Sequence, residues 1–347
     1  MPGGIERAIV NTANLFAENN HSVTLLILDE SDKSFYPVHS SVSIKQYPLL
    51  FGITGKGNKL SRKIQFLRDI KKLKIILKKI NTDTVIATEY PFAITAIMSG
   101  AKKYSKVYSW EHHHFDWLKK SFFWKFLFGS FYPKLDGIVC LNKTEAEHFK
   151  QYTPVSVIPN FIENKFGKRT PGNTKIILSV GWLIPRKGID FMMQAAKIIF
   201  AKHPGWRWKI IGEGEMKNQL LEFIKKEKLQ EKLILQEPVS SNIDDEYCNA
   251  SIFVLASRFE AFPMVLLEAM SFGVPCVSFD CLSGPSDIIT NNEDGILVEK
   301  ESPTKLAQVI TQLIEDETLR TKMGEQAFKN VQRFSPGNIY QLWGKII

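Results

Sequence analysis

Two carboxylates stand eight residues apart in the segment SRFEAFPMVLLEAMSFGVP, which runs from Ser257 to Pro275. No metal-ligand pattern and no nucleophile lies between Glu260 and Glu268. A carboxylate accepts hydrogen bonds on two oxygens, so each acid suits a pair of neighbouring hydroxyls. The two acids are therefore suited to bind two diols, such as those of a sugar and a ribose.

The residues between the two acids suit an anion. Pro263 is predicted at the first helical position, where its missing N–H costs nothing. The N–H groups of Met264 and Val265 then point out of the helix N-terminus, which favours a phosphate. In this order the segment would hold a sugar, a diphosphate and a ribose, as a nucleotide-sugar site does.

The C-terminal half of the chain supplies the elements that position this segment. Its predicted strands are Lys175–Val180, Trp208–Ile211, Leu233–Leu235, Ile252–Ala256 and Pro275–Phe279. Its predicted helices are Phe191–Ala201, Met216–Lys226, Met264–Phe272 and Pro285–Thr290. The alternation indicates a parallel sheet with helices on both faces, which binds ligands at the carboxyl ends of its strands.

The N-terminal half repeats this alternation less regularly. Its predicted strands are HSVTLLIL, DTVIAT, KVYSW and DGIVCL, and its predicted helices are Ile5–Glu18, Leu60–Ile80, Phe92–Met98 and Lys120–Phe131. We therefore expect an α/β protein with two Rossmann-like domains, residues 1–162 and 175–334, whose parallel sheets face a central cleft. Residues 163–174 are charged and rich in Gly, Pro and Asn, which is typical of a linker.

The glycine turn PGGIERA opens the first helix, and a strand normally precedes such a turn in a βα unit. Only Met1 stands before it. The sequence therefore predicts that the first strand of the N-terminal domain is missing.

Composition predicts a cytoplasmic protein. Of 347 residues, 44% are hydrophobic and 23% charged, which is typical of soluble globular proteins. The four cysteines form no CxxC pair, which favours reduced thiols. No signal peptide and no apolar run of spanning length is visible.

The positive charge is concentrated in the first half. Residues 1–170 contain 25 Lys and Arg against 14 Asp and Glu, whereas the remainder contains 20 against 22. Lys56–Lys79 has ten basic residues and one acid, and Leu118–Lys134 mixes seven aromatic residues with four lysines. Both segments suit an anionic membrane surface, here the cytoplasmic face of the inner membrane. The alternative is that these aromatic residues face the core. No nucleic-acid-binding motif is present, so nucleic acid is not expected.

The segment with the two acids resembles the E-x7-E region of the retaining glycosyltransferases of family 4, which have the GT-B fold. The resemblance covers nearly the whole chain through the motifs GGIERA, VIPNFI, GWLIPRKGID, IIGEGE and FSPGNIYQLW. It implies that Glu260 binds the donor sugar and Glu268 the nucleotide ribose. It also implies that residues 335–347 form a final helix that crosses back to the first domain.

The resemblance implies further donor-binding residues. They are Gly3, Gly4, Gly181, Glu213, Phe262, Met264 and Val265. Two positions depart from the family pattern: Trp182 replaces an arginine and Ala261 a glycine. Lys187 matches the family's lysine, and Arg186 offers the missing guanidinium. Because no DxD motif is present, we expect these two cations and the helix N-terminus to balance the diphosphate without a metal ion.

Three consecutive histidines occur in SWEHHHFDW. On an extended segment only His112 and His114 could converge, and no Cys or Glu-x-x-His spacing supports them as metal ligands. The resemblance places His112, or failing that His113, beside the donor sugar at the reaction centre. The alternative is a histidine that packs at the domain interface.

The resemblance thus implies an enzyme that transfers a hexosyl or N-acetylhexosaminyl group with retention, from a UDP-sugar to a lipid-linked glycan acceptor. Assembly of a bacterial surface polysaccharide such as lipopolysaccharide is the expected setting. Two alternatives remain: a sugar-nucleotide epimerase or hydrolase of the same fold, and a non-catalytic protein, which the missing strand, Trp182 and Ala261 would favour.

Overall fold

The computed structural model describes residues 3–28, 36–49, 51, 59–115, 121–163, 170–238 and 243–347, with the side chains of residues 59 and 60 left out. The described residues form two compact units. The N-terminal unit comprises the residues up to Pro159 together with Tyr340–Ile347, and the C-terminal unit comprises Asn160–Ile339. Residues 164–169 of the predicted linker lie outside the described residues.

Parallel strands and five helices build the described part of the N-terminal unit. The strands are β1 (Thr24–Ile27), β2 (Ser43–Gln46), β3 (Thr84–Thr88), β4 (Lys106–Glu111), β5 (Gly137–Cys140) and β6 (Val155–Val157). The helices are α1 (Gly4–Glu18), α2 (Lys59–Ile80), α3 (Tyr90–Met98), α4 (Phe122–Phe131) and α5 (Lys143–Phe149). Strands β1 and β2 pair with each other, and β3 to β6 form a second sheet in chain order. No strand precedes α1 among the described residues.

The C-terminal unit contains one six-stranded parallel sheet. Its strands are β7 (Ile176–Val180), β8 (Arg207–Ile211), β9 (Leu233–Gln236), β10 (Ile252–Leu255), β11 (Cys276–Asp280) and β12 (Gly295–Glu299). The helices are α6 (Ile189–Lys202), α7 (Lys217–Lys226), α8 (Ile243–Cys248), α9 (Met264–Ser271), α10 (Pro285–Ile288), α11 (Pro303–Glu315), α12 (Glu317–Asn330) and α13 (Pro336–Trp343). The strand order is β12-β11-β10-β7-β8-β9. The strand order reverses between β7 and β10, and sheets of this kind bind ligands outside the carboxyl ends of the strands at such a point.

Buried apolar strands hold this sheet in place. All four residues of β10 are buried, as the near-continuous hydrophobic run of a central parallel strand requires. The buried indole of Trp208 donates from Nε1 to Ser179 Oγ at 3.1 Å, and Ser179 Oγ donates to Val254 O at 2.7 Å. These bonds link the middle of β7, β8 and β10, and so fix the strands whose carboxyl ends carry the candidate site.

The last helix contributes to both units. Residues from Tyr340 onward belong to the N-terminal unit, where Trp343 packs edge-on against Trp110 and Phe16 at ring distances of 5.3 and 5.6 Å. Tyr108 donates its hydroxyl to Ile346 O at 2.7 Å. The end of the chain is therefore part of the N-terminal core.

The parallel α/β architecture predicted from the sequence is confirmed. One local detail is wrong: α9 begins at Met264, so Pro263 occupies the N-cap instead of the first helical position. Because the N-cap residue has extended backbone angles, here φ −75° and ψ 99°, the proline ring fits without loss of a hydrogen bond.

Candidate active site

A short 3-10 turn, Pro185–Lys187, follows β7 and carries Arg186 and Lys187. Arg186 is exposed, whereas the side chain of Lys187 is 18% exposed. The turn ends at Gly188, whose φ of +67° lies in the left-handed region. A Cβ at this position would lie 1.9 Å from Ala256 O, so only glycine allows the turn to approach the end of β10 this closely.

Lys187 and Glu260 are brought together by this approach. Lys187 Nζ lies 2.5 Å from Glu260 Oε1, and Ser257 Oγ donates to the same oxygen at 2.6 Å. The Glu260 side chain is 11% exposed. The arrangement places a cation and a carboxylate side by side at the carboxyl edge of the sheet, where one group suits a phosphate and the other suits sugar hydroxyls.

Arg258 braces the same turn and was not singled out by sequence reasoning. Its guanidinium binds Asp190 in a bidentate pair at 2.9 and 2.7 Å, and it donates to Pro185 O at 2.5 Å. Its backbone N–H donates to Arg186 O at 2.8 Å. Burial is the largest single influence on the pKa of Asp190 and raises it. The hydrogen bonds and the charge of Arg258, together with backbone hydrogen bonds, outweigh burial, so the pKa of Asp190 is lowered. Arg258 thus fixes the position of the two cationic residues of the turn.

The N-terminus of α9 lies directly after Glu260. Met264 and Phe262 are buried and Val265 is half-buried. The ring of Phe262 packs edge-on against Phe334 at 5.6 Å, which anchors the loop that leads into the helix. The first N–H groups of a helix have no intrahelical acceptor, so those of Met264 and Val265 are available to an anion.

Glu268 lies on the second turn of α9 and is 8% exposed. The hydroxyl of Tyr247 on α8 donates to its Oε2 at 2.6 Å, and the Tyr247 ring stacks on Phe272 with centroids 5.7 Å apart. Sequence reasoning missed Tyr247 because it is 21 residues from Glu268 and belongs to no recognised motif. Its hydrogen bond fixes the carboxylate in one orientation.

The loops after β7 and β8 pack backbone to backbone. Gly181 N donates to Ile211 O at 3.0 Å, and Leu183 N donates to Glu213 O at 2.7 Å. A Cβ on Gly212 would lie 1.9 Å from Gly181 O. Gly181 and Glu213 are therefore neighbours at the carboxyl edge of the sheet, and the Glu213 side chain is exposed there.

Cys281 is a buried thiol that the charge of Glu260 affects. Burial, followed by the Glu260 carboxylate, raises its pKa to about 12. A thiol with that pKa stays protonated at neutral pH and is a poor nucleophile.

The remaining predicted residues belong to the N-terminal unit. Gly3 is the N-cap of α1 with φ −86°, and Gly4 is the exposed first residue of this helix. A Cβ on Gly4 would meet no atom within 4 Å. The donor-binding role of both glycines stays a prediction.

His112 follows β4 and is buried with 5% exposure. The backbone N–H of His112 donates to Glu89 Oε1 at 2.8 Å, and the same oxygen lies 2.8 Å from His113 Nδ1. Burial lowers the pKa of His112 to about 4, against the smaller opposite effect of Glu89, so its ring is neutral at pH 7. Among the described residues, no group forms a hydrogen bond with its Nε2. The catalytic role of His112 stays a prediction.

Glu89 is a third residue, after Arg258 and Tyr247, that could not be found from the sequence. It has φ +70°, which is costly for a residue with a side chain, and its N–H donates to Trp110 O at 3.0 Å. The strained backbone directs its carboxylate to His112 and His113. In the part of the chain that the structure describes, no group of three His, Cys, Asp or Glu side chains is arranged to hold a metal ion.

The chain has the fold of known GT-B structures. The crystal structure of HepE from Anabaena in complex with UDP matches with a TM-score of 0.79 over 99% of this chain and 96% of HepE, at 16% identity. At that identity the match shows the fold alone.

Family models match both halves of the chain. The model described as Glycosyltransferase Family 4 covers residues 2–166, and the model described as Glycosyl transferases group 1 covers residues 160–330. The chain is a GT-B glycosyltransferase. This chain is 27% identical to the amylovoran biosynthesis glycosyltransferase AmsD of Erwinia amylovora, over 99% of this chain and 96% of AmsD.

A second relative has a name that states its substrate. It is the GalNAc-alpha-(1->4)-GalNAc-alpha-(1->3)-diNAcBac-PP-undecaprenol alpha-1,4-N-acetyl-D-galactosaminyltransferase of Campylobacter jejuni. The two proteins are 23% identical over 99% of this chain and 95% of the relative.

Within the described residues, no helix is both long enough and apolar enough to pass through a membrane.

Proposed function

We propose that this glycosyltransferase moves a hexosyl or N-acetylhexosaminyl group from a UDP-sugar to a lipid-linked glycan, with retention of anomeric configuration. The observation that carries the proposal is the arrangement around α9. A carboxylate paired with a lysine stands before the helix, free N–H groups stand at its start, and a second oriented carboxylate stands on its next turn. A sugar, a diphosphate and a ribose fit these groups in that order.

Glu260 is proposed to bind the donor sugar through the oxygen that Lys187 and Ser257 leave for it. Glu268 is proposed to bind the ribose diol, with Tyr247 holding its other oxygen. Gly181 and Glu213 would lie beside the nucleotide, because their loops meet at the same edge of the sheet. The backbone approach at Gly212 supports a close-fitting nucleotide pocket.

The charge that develops on the leaving diphosphate is proposed to be balanced by Arg186, Lys187 and the α9 N-terminus, without a metal ion. Fixed cations and helix N–H groups that are already in position stabilise developing charge without reorganisation. Arg258 supports this role because it ties the cationic turn to Asp190. Activity that persists in EDTA is the expected result, and loss of activity that Mg²⁺ restores would contradict it.

Retention is proposed to occur by front-face substitution, in which the acceptor oxygen attacks on the side that the diphosphate leaves. The bond from the sugar C1 to the phosphate oxygen breaks, and the leaving phosphate takes the acceptor proton. In this scheme Glu260 binds hydroxyls of the sugar and does not attack its C1. A covalent glycosyl adduct on Glu260 would overturn the scheme.

The acceptor class is proposed from the names of the relatives. One acts in amylovoran biosynthesis, and the other extends a glycan on undecaprenyl diphosphate. We extend both to this chain as assembly of a bacterial surface polysaccharide at the cytoplasmic face of the inner membrane.

The test is a transfer assay with a panel of radiolabelled UDP-, GDP- and ADP-sugars, with and without undecaprenyl-diphosphate glycans. Label that enters the lipid product only when acceptor is present supports the proposal, and NMR of the new linkage reports its anomeric configuration. Turnover of the donor without acceptor would indicate an epimerase or hydrolase. No donor binding by folded protein would indicate a non-catalytic role.

A further inference from the structure

Helices α2 and α4 of the N-terminal unit are joined by aromatic contacts. The ring of Phe66 on α2 packs edge-on against Phe123 and Trp124 on α4, with centroids 5.7 and 6.1 Å apart. Each helix also has a buried side, with Leu73 and Leu77 on α2. Both helices therefore pack against the core through their buried residues, and the residues on their outer sides are not needed for that packing.

The charged residues on the outer side of α2 are all positive. From Ser61 onward, its basic residues are all exposed: Arg62, Lys63, Arg68, Lys71, Lys72, Lys74, Lys78 and Lys79. The single acid of the helix, Asp69, is buried and accepts from Phe51 N at 3.0 Å and from Gln65 Nε2 at 2.7 Å. Helix α4 contains Lys125 as its one charged residue.

Large apolar side chains lie exposed among these cations. Phe122 is 88% exposed, Phe126 65% and Phe123 44% on α4. On α2, Ile75 is 68% exposed, Leu67 57% and Ile64 43%. Single exposed apolar residues are normal, but six on two contacting helices are not.

We infer that these six apolar residues and the basic residues of α2 form a surface, here called the basic–aromatic surface, that binds an anionic lipid bilayer. Phenylalanine rings and aliphatic side chains enter the boundary between headgroups and acyl chains, while the flanking cations contact anionic headgroups. Aliphatic residues do not stack on nucleobases, which disfavours a nucleic acid as the partner. The inference rests on the proposed function in that a lipid-linked acceptor lies in such a bilayer.

The sequence segments Lys56–Lys79 and Leu118–Lys134 predicted membrane contact without assigning residues to it. The structure separates the exposed residues of the aromatic segment from the buried ones: Phe122 and Phe126 are exposed, whereas Leu127 and Phe128 are buried. The parts 52–58 and 116–120 lie outside the described residues.

Sedimentation of the full chain with vesicles tests the inference. We expect binding to an equal mixture of phosphatidylcholine and phosphatidylglycerol, weakened by added salt, and little binding to phosphatidylcholine alone. The double variant Arg68→Gln/Lys71→Gln should lower the partition coefficient about 25-fold, since each cation near an anionic surface contributes about fivefold. The double variant Phe122→Ser/Phe126→Ser should lower it at least about tenfold.

Matched controls lie in the C-terminal unit. Leu282 is 58% exposed, and Lys225 and Lys226 are exposed on α7. Leu282→Ser and Lys225→Gln/Lys226→Gln should sediment with vesicles as the unchanged protein does. All variants should keep the unchanged affinity for UDP, which also reports that they are folded.

Three results would overturn the inference. The first is no binding of the unchanged protein to the anionic vesicles, and the second is equal losses in the control variants. The third is loss in the lysine and arginine variant alone, with heparin binding lost in parallel, which would indicate a surface for soluble polyanions. Vesicle binding without any sugar transfer would leave this surface in place and contradict the proposed function alone.

Discussion

Replacement of Lys187 by methionine separates donor binding from structural support. Lys187 Nζ lies 2.5 Å from Glu260 Oε1, and the two side chains are 18% and 11% exposed. Methionine keeps most of the side-chain volume but removes the cation. In the proposed complex the variant therefore loses one charge-assisted contact to the diphosphate and leaves the Glu260 carboxylate with Ser257 as its hydrogen-bond partner.

The size of the effect follows from these contacts. A hydrogen bond to a charged group contributes about 1.5–3 kcal/mol. Since about 1.4 kcal/mol corresponds to a factor of ten, the Kd for UDP should rise about 10- to 150-fold. The free energy of unfolding should fall as well, because the poorly exposed Glu260 side chain loses its cationic partner.

Lys209→Met is the matched control. Lys209 Nζ lies 2.8 Å from Glu246 Oε2, with the side chains 23% and 16% exposed, and the residue is in the middle of β8. Isothermal titration with UDP and thermal denaturation of both variants are the measurements. Both variants should unfold at lower temperature, whereas only Lys187→Met should bind UDP more weakly.

Two results would refute this reasoning. If Lys187→Met bound UDP with the unchanged Kd, Lys187 would be a partner of Glu260 and no ligand of the diphosphate. If both variants lost the same UDP affinity, the loss would follow from the stability of the domain and not from a phosphate contact.

Three further substitutions test the geometry of each unit. Tyr247→Phe should keep the ring stack but raise the Kd for UDP about tenfold, measured by titration, because Glu268 loses a charge-assisted hydrogen bond; unchanged affinity would remove Tyr247 from the site. For His112, the folded pKa of about 4 lies below the unfolded value of 6.5, so its contribution to stability is complete above pH 6.5 and is lost as the pH falls toward 4. Between pH 7 and pH 5 the free energy of unfolding, measured with urea, should therefore fall by about 2 kcal/mol more in the unchanged protein than in His112→Gln. Equal decreases would contradict the burial of a neutral ring. Gly188→Ala should cost about 2–5 kcal/mol of unfolding free energy, because its φ is +67° and its Cβ would meet Ala256 O, whereas Gly205→Ala should be nearly neutral, since nothing lies within 4 Å of its Cβ.

The sequence allowed prediction of features that repeat locally. Strands such as Ile252–Leu255 are buried on both faces, so they appear as continuous apolar runs between helical stretches. The two acids of the candidate site were found because they share one short segment. Strand β2 was missed because three of its four residues are exposed, so it shows no apolar run.

Contacts between distant residues could not be predicted in this way. Lys187 and Glu260 are 73 residues apart, and Arg258 and Asp190 are 68 apart. Neither pair follows from periodicity or spacing, since each forms where the loops after β7 and β10 converge. The strained backbone of Glu89 likewise depends on the sheet that surrounds it.

We propose that Glu260 binds the sugar and Glu268 the ribose of a nucleotide sugar on the C-terminal unit. Calorimetric titration of UDP, GDP and ADP into the unchanged chain and into Glu268→Gln, which keeps the size of the side chain, tests this proposal. We predict binding of one diphosphate, with UDP expected, and at least about tenfold weaker binding in Glu268→Gln at similar thermal stability. Equal affinity in the two proteins, or no binding of any of the three by the folded chain, would contradict the proposal.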